Sequence, residues 1–369
     1  MKSKILKYLA MTAFTAAIIT PAFAQEDPAL FMGRASAKVA KAMAFPNRWE
    51  GPAKGSAIAP KKGLVVVIGS DFRLGGISGV TNALKEATAV AGWNLLALDC
   101  YGIQSRRAES FSRAIALKPA AIILAGIHST EQPKEMKAAA TAKIPVIGWH
   151  AAPKSGPGDG LFTNVGTDPK EAGQLAALLA VVDSKGKAGV VIFNDASSPH
   201  SVAKATAIAE IIKQCQTCTL LSTEDVSPAA SRAKIQEQLT SAVKKHGSRW
   251  TYVLATDDIY FDMLAMPEAS TIVSAYKLQG ISAGDGTPSA YQRIAKNALQ
   301  IGTVSEPLRM QAWQIVDEVS RAISGAKPSE FSTPVYVVTQ QNKAFHGGPR
   351  NMFDPDIGYQ TQYRQIWKR

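Results

Sequence analysis

Tyr252-Val-Leu-Ala-Thr-Asp-Asp258 and, after a helical interval, Leu278-Gln-Gly-Ile-Ser-Ala-Gly-Asp-Gly286 decide the fold class. Each is a short apolar run that ends in a small acidic group. Short apolar runs alternating with helical patterns read as strands of a parallel sheet covered on both faces. In such sheets ligands bind beyond the carboxyl ends of the strands, which is where Asp257, Asp258 and Asp285 stand. Carboxyl groups placed there either meet a polar ligand or cap the next helix. This stretch alone leaves both readings open.

The same unit recurs in both directions. Upstream, Leu64-Val-Val-Val-Ile68 is followed by the loop 69–76 and by a helix with Val80, Ala83, Leu84, Ala87 and Ala91 on one face. Runs at 95–98, 121–124 and 145–149 repeat the pattern, the last ending at His150, and a Gly/Pro-rich loop over 153–160 leads to 161–165. Thr167-Asp168 caps a long helix over 171–182, and a second series starts, with runs at 189–193, 219–222, 252–255, 278–281 and 301–304. A helix from Leu308 carries Ala312, Ile315, Val316, Val319 and Ile323 on one face, followed by a late strand at 334–338. Two successive sets of such units make an α/β protein of two doubly wound parallel-sheet lobes.

The chain opens with Lys2, Lys4 and Lys7, an apolar run over 8–20 and the small-x-small pattern of Pro21-Ala-Phe-Ala24. That is the pattern of a secretory leader over 1–24, so the mature chain is expected to start at Gln25, without a cysteine for lipid attachment. No other apolar stretch approaches the roughly 20 residues needed to cross a bilayer, and the expected destination is that of a soluble exported protein. The formal charge of +12 falls to +9 once the three leader lysines are removed. The remaining Lys and Arg are scattered without interleaved aromatics, which excludes a nucleic-acid binder and places them on solvated helix faces. In an oxidising compartment Cys215-Gln-Thr-Cys218, closing a helix, reads as a disulfide staple rather than a redox motif, which would open one. Cys100 reads as a buried free thiol. Residues 25–60 form an arm with one short helix over 35–43.

The leader, the two series, Gly284-Asp285-Gly286 after a strand, and Thr303-Val-Ser-Glu306-Pro307 before a helix containing Trp313-Gln-Ile-Val-Asp317-Glu318 resemble the type I periplasmic sugar-binding proteins. The resemblance covers roughly 61–338. It implies two lobes, 61–168 with 307–331 and 169–306 with 332–350, joined by a three-crossing hinge; the tail over 351–369 lies outside the resemblance and, holding Tyr363 and Trp367, is expected to pack on a lobe. It further implies a monomer that captures a small sugar or polyol in the cleft and hands it to the membrane permease subunits of an ATP-binding-cassette importer. Carried over by position, Asp285 matches the aspartate that grips sugar hydroxyls, and Glu306 sits at the hinge. Asp257 falls where ribose binders have Asn, and His150 stands in place of an Asp. Two departures stand at specificity-setting positions: Ala151 replaces the usual Arg, and the first loop has Asp71-Phe72-Arg73 instead of an aromatic pair.

Sugar hydroxyls call for side chains that accept several hydrogen bonds, and a carboxylate offers about four acceptor positions and the stronger, charge-assisted kind. Asp257, Asp285 and Glu306 are therefore the leading ligand candidates. Asp71, Arg73, His128 and His150 end or follow strands of the first lobe and face the same cleft. Trp149, Phe72 and Tyr260 are candidate stacking faces, although Trp149 also fits a core position. Asp258 reads as a helix cap, and His200 and His246 as solvated or capping residues. Paired carboxylates keep a carbohydrate-active hydrolase as an alternative, beside a periplasmic sensor of a non-sugar solute. No Gly-x-Ser-x-Gly elbow, His-Glu-x-x-His, phosphate loop or dinucleotide fingerprint is present. The chain thus reads as a binder rather than an enzyme, with no cofactor and no metal ligands at matching spacing.

Overall fold

The computed structural model describes residues 26–44, 48–54, 63–228 and 232–368; the leader read over 1–24 lies outside the described residues. Helix α1 (Pro28–Met43) is longer than the 35–43 segment expected from sequence. It starts early because the Asp27 side chain accepts the N–H groups of Ala29 and Leu30 and Pro28 takes the first helical position, where no N–H is needed.

The first sheet holds β1 (Leu64–Gly69), β2 (Asn94–Asp99), β3 (Ala121–Ala125), β4 (Val146–Trp149), β5 (Gly156–Gly158) and β6 (Leu161–Val165), in the order β2-β1-β3-β4-β6-β5. Its neighbours are parallel except β5 with β6. Sequence reading treats 153–160 as a loop. The Gly-Pro-Gly of β5 nevertheless pairs at the sheet edge, where a missing proline N–H costs no ladder bond. Helices α2 (Gly75–Ala91), α3 (Gln104–Ala116) and α4 (Pro133–Thr141) make the crossovers. Alternate residues of β1 point to opposite faces, as the pleat requires: Val65 and Val67 join one core cluster, Val66 and Ile68 another.

The second sheet holds β7 (Gly189–Asn194), β8 (Thr219–Asp225), β9 (Tyr252–Ala255), β10 (Gln279–Ser282), β11 (Gln300–Ser305) and β12 (Tyr336–Thr339), in the order β12-β11-β10-β9-β7-β8, with only β12 antiparallel. Its helices are α5 (Pro169–Asp183), α6 (Pro199–Gln214), α7 (Arg232–His246), α8 (Ile259–Leu264), α9 (Pro267–Tyr276) and α10 (Pro288–Ala295). Val190 and Ile192 face the α5–α6 core, whereas Val191 and Phe193 face the α7–α9 core. Cys215 and Cys218 are paired where α6 turns into β8, and Cys100 is free and buried.

The chain passes from one sheet to the other after β6, after β11 and again before β12, because α11 (Leu308–Ser324) packs on α2 of the first lobe. On α11, Ala312, Ile315, Val316 and Val319 are buried, while Ile323 is 45% exposed where the helix runs past the core. Helix α12 (Tyr359–Trp367) covers α11: Trp367 stacks on Trp313 at 5.2 Å, and its Nε1 donates to Asp317 at 3.0 Å. Among the described residues no helix is long and apolar enough to cross a membrane.

The arm also bridges the lobes. Phe31, Ala35 and Val39 are buried in the core of the second lobe beside α5. Trp49 then packs on Phe331 and Tyr363 of the first lobe, with ring centroids 5.8 and 5.2 Å away, and the Arg321 guanidinium donates to the Lys54 carbonyl. Removing a buried phenylalanine ring costs about 3–5 kcal/mol. Phe31→Ala is expected to lower the free energy of chemical unfolding by about that amount; an unchanged denaturant midpoint would show that α1 is not part of the cooperative core.

Candidate functional site

The carboxyl ends of the two sheets face each other across a cavity of about 180 Å3. Its position is held from beneath by Asp258, which is fully buried after β9. The Asp258 carboxyl accepts the N–H groups of Gly286 and Thr287 at 2.9 Å each, Gln300 Nε2 at 2.8 Å, Thr303 Oγ1 at 3.1 Å and the Ser282 hydroxyl. It stands at the N-cap position of α8 but makes no side-chain cap bond there, so the cap read from sequence is corrected for the carboxyl, which instead ties β9 to β10, β11 and the Gly-Asp-Gly turn. The bond to the start of α8 comes from Asp257, whose Oδ1 accepts the Ile259 N–H at 2.9 Å.

Asp257 and Asp285 both line the cavity. Burial, then the Asp285 and Asp258 charges, push the Asp257 carboxyl up to about 7. Burial also raises Asp285, although Lys204 opposes the shift, its Nζ lying 3.7 Å from Asp285 Oδ1. Asp285 reaches across to the first lobe. A Cβ added to Gly76, at the start of α2, would lie 1.7 Å from Asp285 Oδ2. Only a glycine lets a carboxyl group approach this helix start so closely, and the N-terminal end of a helix favours negative charge. Tyr260 also lines the cavity, with its hydroxyl donating to the Val226 carbonyl at 2.8 Å.

From the first lobe, Asp71, His128, Trp149 and His150 line the cavity. Burial alone would raise the Asp71 carboxyl, but the hydrogen bonds and charge of Arg73 hold it below its usual range. Arg73 itself turns outward, reaches the Tyr101 carbonyl at 3.2 Å and does not line the cavity. Phe72 does not line it either; its ring folds back over Gly69 and joins the core of the first lobe. His128 holds Thr130 Oγ1 at 2.8 Å through Nδ1, while its buried Nε2 has no protein partner.

His150 stands at φ +50°, an uncommon conformation for a residue with a Cβ. Its ring lies between two others: Trp149 at 3.9 Å and 19° on one side, His200 of α6 at 4.1 Å and 20° on the other. Its Nε2 contacts Glu306 Oε2 at 3.0 Å. Glu306 sits behind His150 rather than on the cavity wall, with its side chain wholly buried. Burial would raise its carboxyl, but the charge and hydrogen bond of His150, with Lys204 and His200, hold it well below the usual range. Gln311 Nε2 donates to Glu306 Oε2 at 2.8 Å, and Gln311 Oε1 accepts Trp149 Nε1 at 2.8 Å.

Sequence reasoning missed His200 and Lys204. Both line the cavity, one turn apart on α6, and Lys204 is only 2% exposed. His200, read as a solvated or capping residue, is corrected: burial first, then the His150 and Lys204 charges, lower its pKa well below the usual value, and its Nε2 has no protein partner. The available signal was position, since His200 follows the β7 strand as His150 follows β4.

Residues 65–327, well over half of the chain, match the family described as periplasmic binding protein domain. No curated protein matches the chain. Among solved structures, the chain is similar to an ABC transporter solute binding protein from Agrobacterium vitis with bound allitol, at 21% identity, 77% of this chain and 97% of that one, with a TM-score of 0.64. It is similar to the periplasmic binding protein component of the arabinose ABC transporter from Shewanella sp. ANA-3, bound to L-arabinofuranose, at 18% identity, 83% and 96% coverage and a TM-score of 0.65. A glucose-galactose binding protein from Geobacillus stearothermophilus gives 18%, 76% and 99%, and 0.63. These likenesses establish a shared fold, and the family match together with the two facing doubly wound lobes identifies the chain as a member of the periplasmic binding protein family.

Proposed function

We propose that this protein captures a small sugar or polyol between its lobes and delivers it to the membrane permease subunits of an ATP-binding-cassette importer. The observation that carries this reading is the cavity of about 180 Å3, walled from both lobes by carboxyl groups, imidazoles and a lysine. Pockets for drug-sized ligands run to about 300–1,000 Å3, so this one suits a smaller solute. Buried polar atoms without partners, such as His128 Nε2 and His200 Nε2, call for a ligand or water. Hydroxyl groups, which donate and accept, suit a wall of this mixed kind. Allitol and L-arabinofuranose bound to similar structures support the ligand class.

In this reading the protein is exported by the leader over 1–24, works in the periplasm as a monomer with the Cys215–Cys218 disulfide formed, binds no nucleic acid and returns its ligand unaltered. The lobes, 61–168 with 307–331 and 169–306 with 332–350, close by hinge motion, and ligand stabilises the closed state. Asp285, Asp257, Asp71, His128 and His150 contact the ligand, and Trp149 and Tyr260 supply apolar faces. Glu306 acts through His150, while Arg73 and Phe72 shape the first loop from outside the cavity.

A thermal-shift panel of pentoses, hexoses and polyols tests the function. A ligand at about a hundred times its dissociation constant stabilises by about 2.7 kcal/mol, and a flat response to the whole panel would refute the sugar reading. Asp285→Ala is expected to remove the response; retained affinity would separate Asp285 from the ligand. Asp257 gives a pH test. Between its unfolded value near 4 and about 7, the folded chain keeps a proton that the unfolded chain has released, so this group's stabilising contribution is lost as pH rises through about 7. Asp257→Asn is expected to flatten that loss, gaining on the wild type from pH 5 to pH 8 in melting temperature. Parallel curves would place the titration elsewhere.

A further inference from the structure

We propose that His150, His200 and Glu306 form a site for one divalent transition-metal ion of the zinc class, on the wall of the cleft and completed only when the lobes are together. Their donor atoms lie within 4.8 Å of one another. The three residues come from separate places: His150 from the end of β4, His200 from the start of α6 and Glu306 from the passage between β11 and α11. None is near another in sequence, which is why no ligand spacing betrays the cluster.

Two further observations point to a ligand at this spot. The Glu306 side chain is 0% exposed, yet its Oε1 has no partner. The Nε2 of His200 is likewise buried and without a partner. Buried polar atoms are normally partnered, so the fold keeps two unused donors for an ion beside a third on His150. Outside the cluster, Gln311 fixes the carboxyl. Its Nε2 donates to Glu306 Oε2 at 2.8 Å and to Thr333 Oγ1 at 2.9 Å, and its Oε1 takes Trp149 Nε1. Metal ligands are commonly oriented by such outer contacts.

Two imidazoles and one carboxylate suit zinc and its neighbours, whereas magnesium and calcium prefer oxygen alone. Metal–nitrogen and metal–oxygen bonds of about 2.0–2.2 Å place ligands of a tetrahedral ion roughly 3.3 Å apart. Closing from 4.8 Å requires His200 to rotate out of its stack on His150. The ion takes the place of the hydrogen in the His150 Nε2–Glu306 Oε2 contact at 3.0 Å, and that proton leaves to solvent. The N-terminus of α6 and Lys204 oppose a cation here, while Asp285 and Asp257 beside them favour it. Three protein ligands leave a fourth position open toward the cavity, as in zinc sites that accept an oxygen from water or substrate.

The full chain, stripped with EDTA, is titrated with Zn2+ by calorimetry and with Co2+ by visible absorption. One ion per chain is expected, with the intense visible bands of four-coordinate cobalt. His200→Ala and Glu306→Gln should each weaken uptake by about tenfold or more. If Glu306→Gln fails to fold, His200→Ala, on the cavity wall, still decides. No uptake by the wild type, or uptake with unchanged affinity in His200→Ala, would overturn the site. The site does not depend on the sugar reading: the sugar panel is run in EDTA, so a lost sugar response and lost metal binding register separately.

Discussion

The buried carboxyl of Asp258 is the constraint on which the cleft depends. A polar group with no access to water needs partners inside the protein, and Asp258 finds them on β10, on β11 and in the Gly-Asp-Gly turn. The same contacts that satisfy it fix the ends of three adjacent strands. Gly286 follows from this: at φ +77° it lets the chain turn so that its own N–H and that of Thr287 point at one oxygen. The turn carries Asp285, so a residue that lines the cavity is oriented by one that does not.

Asp285 in turn connects the lobes. Its approach to Gly76 and the stacking of His200 on His150 are two contacts that join the lobes. The Glu306 carboxyl lies between them at the passage from β11 to α11. Ionisable groups from both lobes therefore act on one another here: His150, Lys204 and His200 all bear on Glu306. The arm adds a constraint from outside the cleft, with α1 buried on the second lobe and Trp49 on the first.

Around the cavity, opposite charges stand in pairs: Asp71 on the wall with Arg73 outside it, Glu131 with Arg107, and Asp285 with Lys204. Pairing keeps each charge partly satisfied while its remaining lone pairs or protons stay available to a neutral polar ligand. Asp257 departs from this rule, since its hydrogen bond comes from a backbone N–H and its neighbours are acidic. Its carboxyl consequently holds a proton up to about 7, and it can donate as well as accept.

The sequence by itself determined the strands, their parallel arrangement and the placement of Asp71, His128, His150, Asp257 and Asp285 at strand ends. These rest on local periodicity and on the rule that parallel strands present their carboxyl ends to one side, which need no knowledge of what packs opposite. Only the tertiary structure decided that Phe72 turns into the core, that Arg73 neutralises Asp71 from outside the cavity, and that Asp258 is a tie rather than a cap. It also decided that His200 stacks on His150 of the opposite lobe and that Lys204 is buried beside Asp285. The physical reason is common to all of these. A side chain's direction and desolvation depend on the surface it meets, and here that surface belongs to residues far away in the chain: residue 150 meets 306 and 200 only because two separately wound lobes face each other.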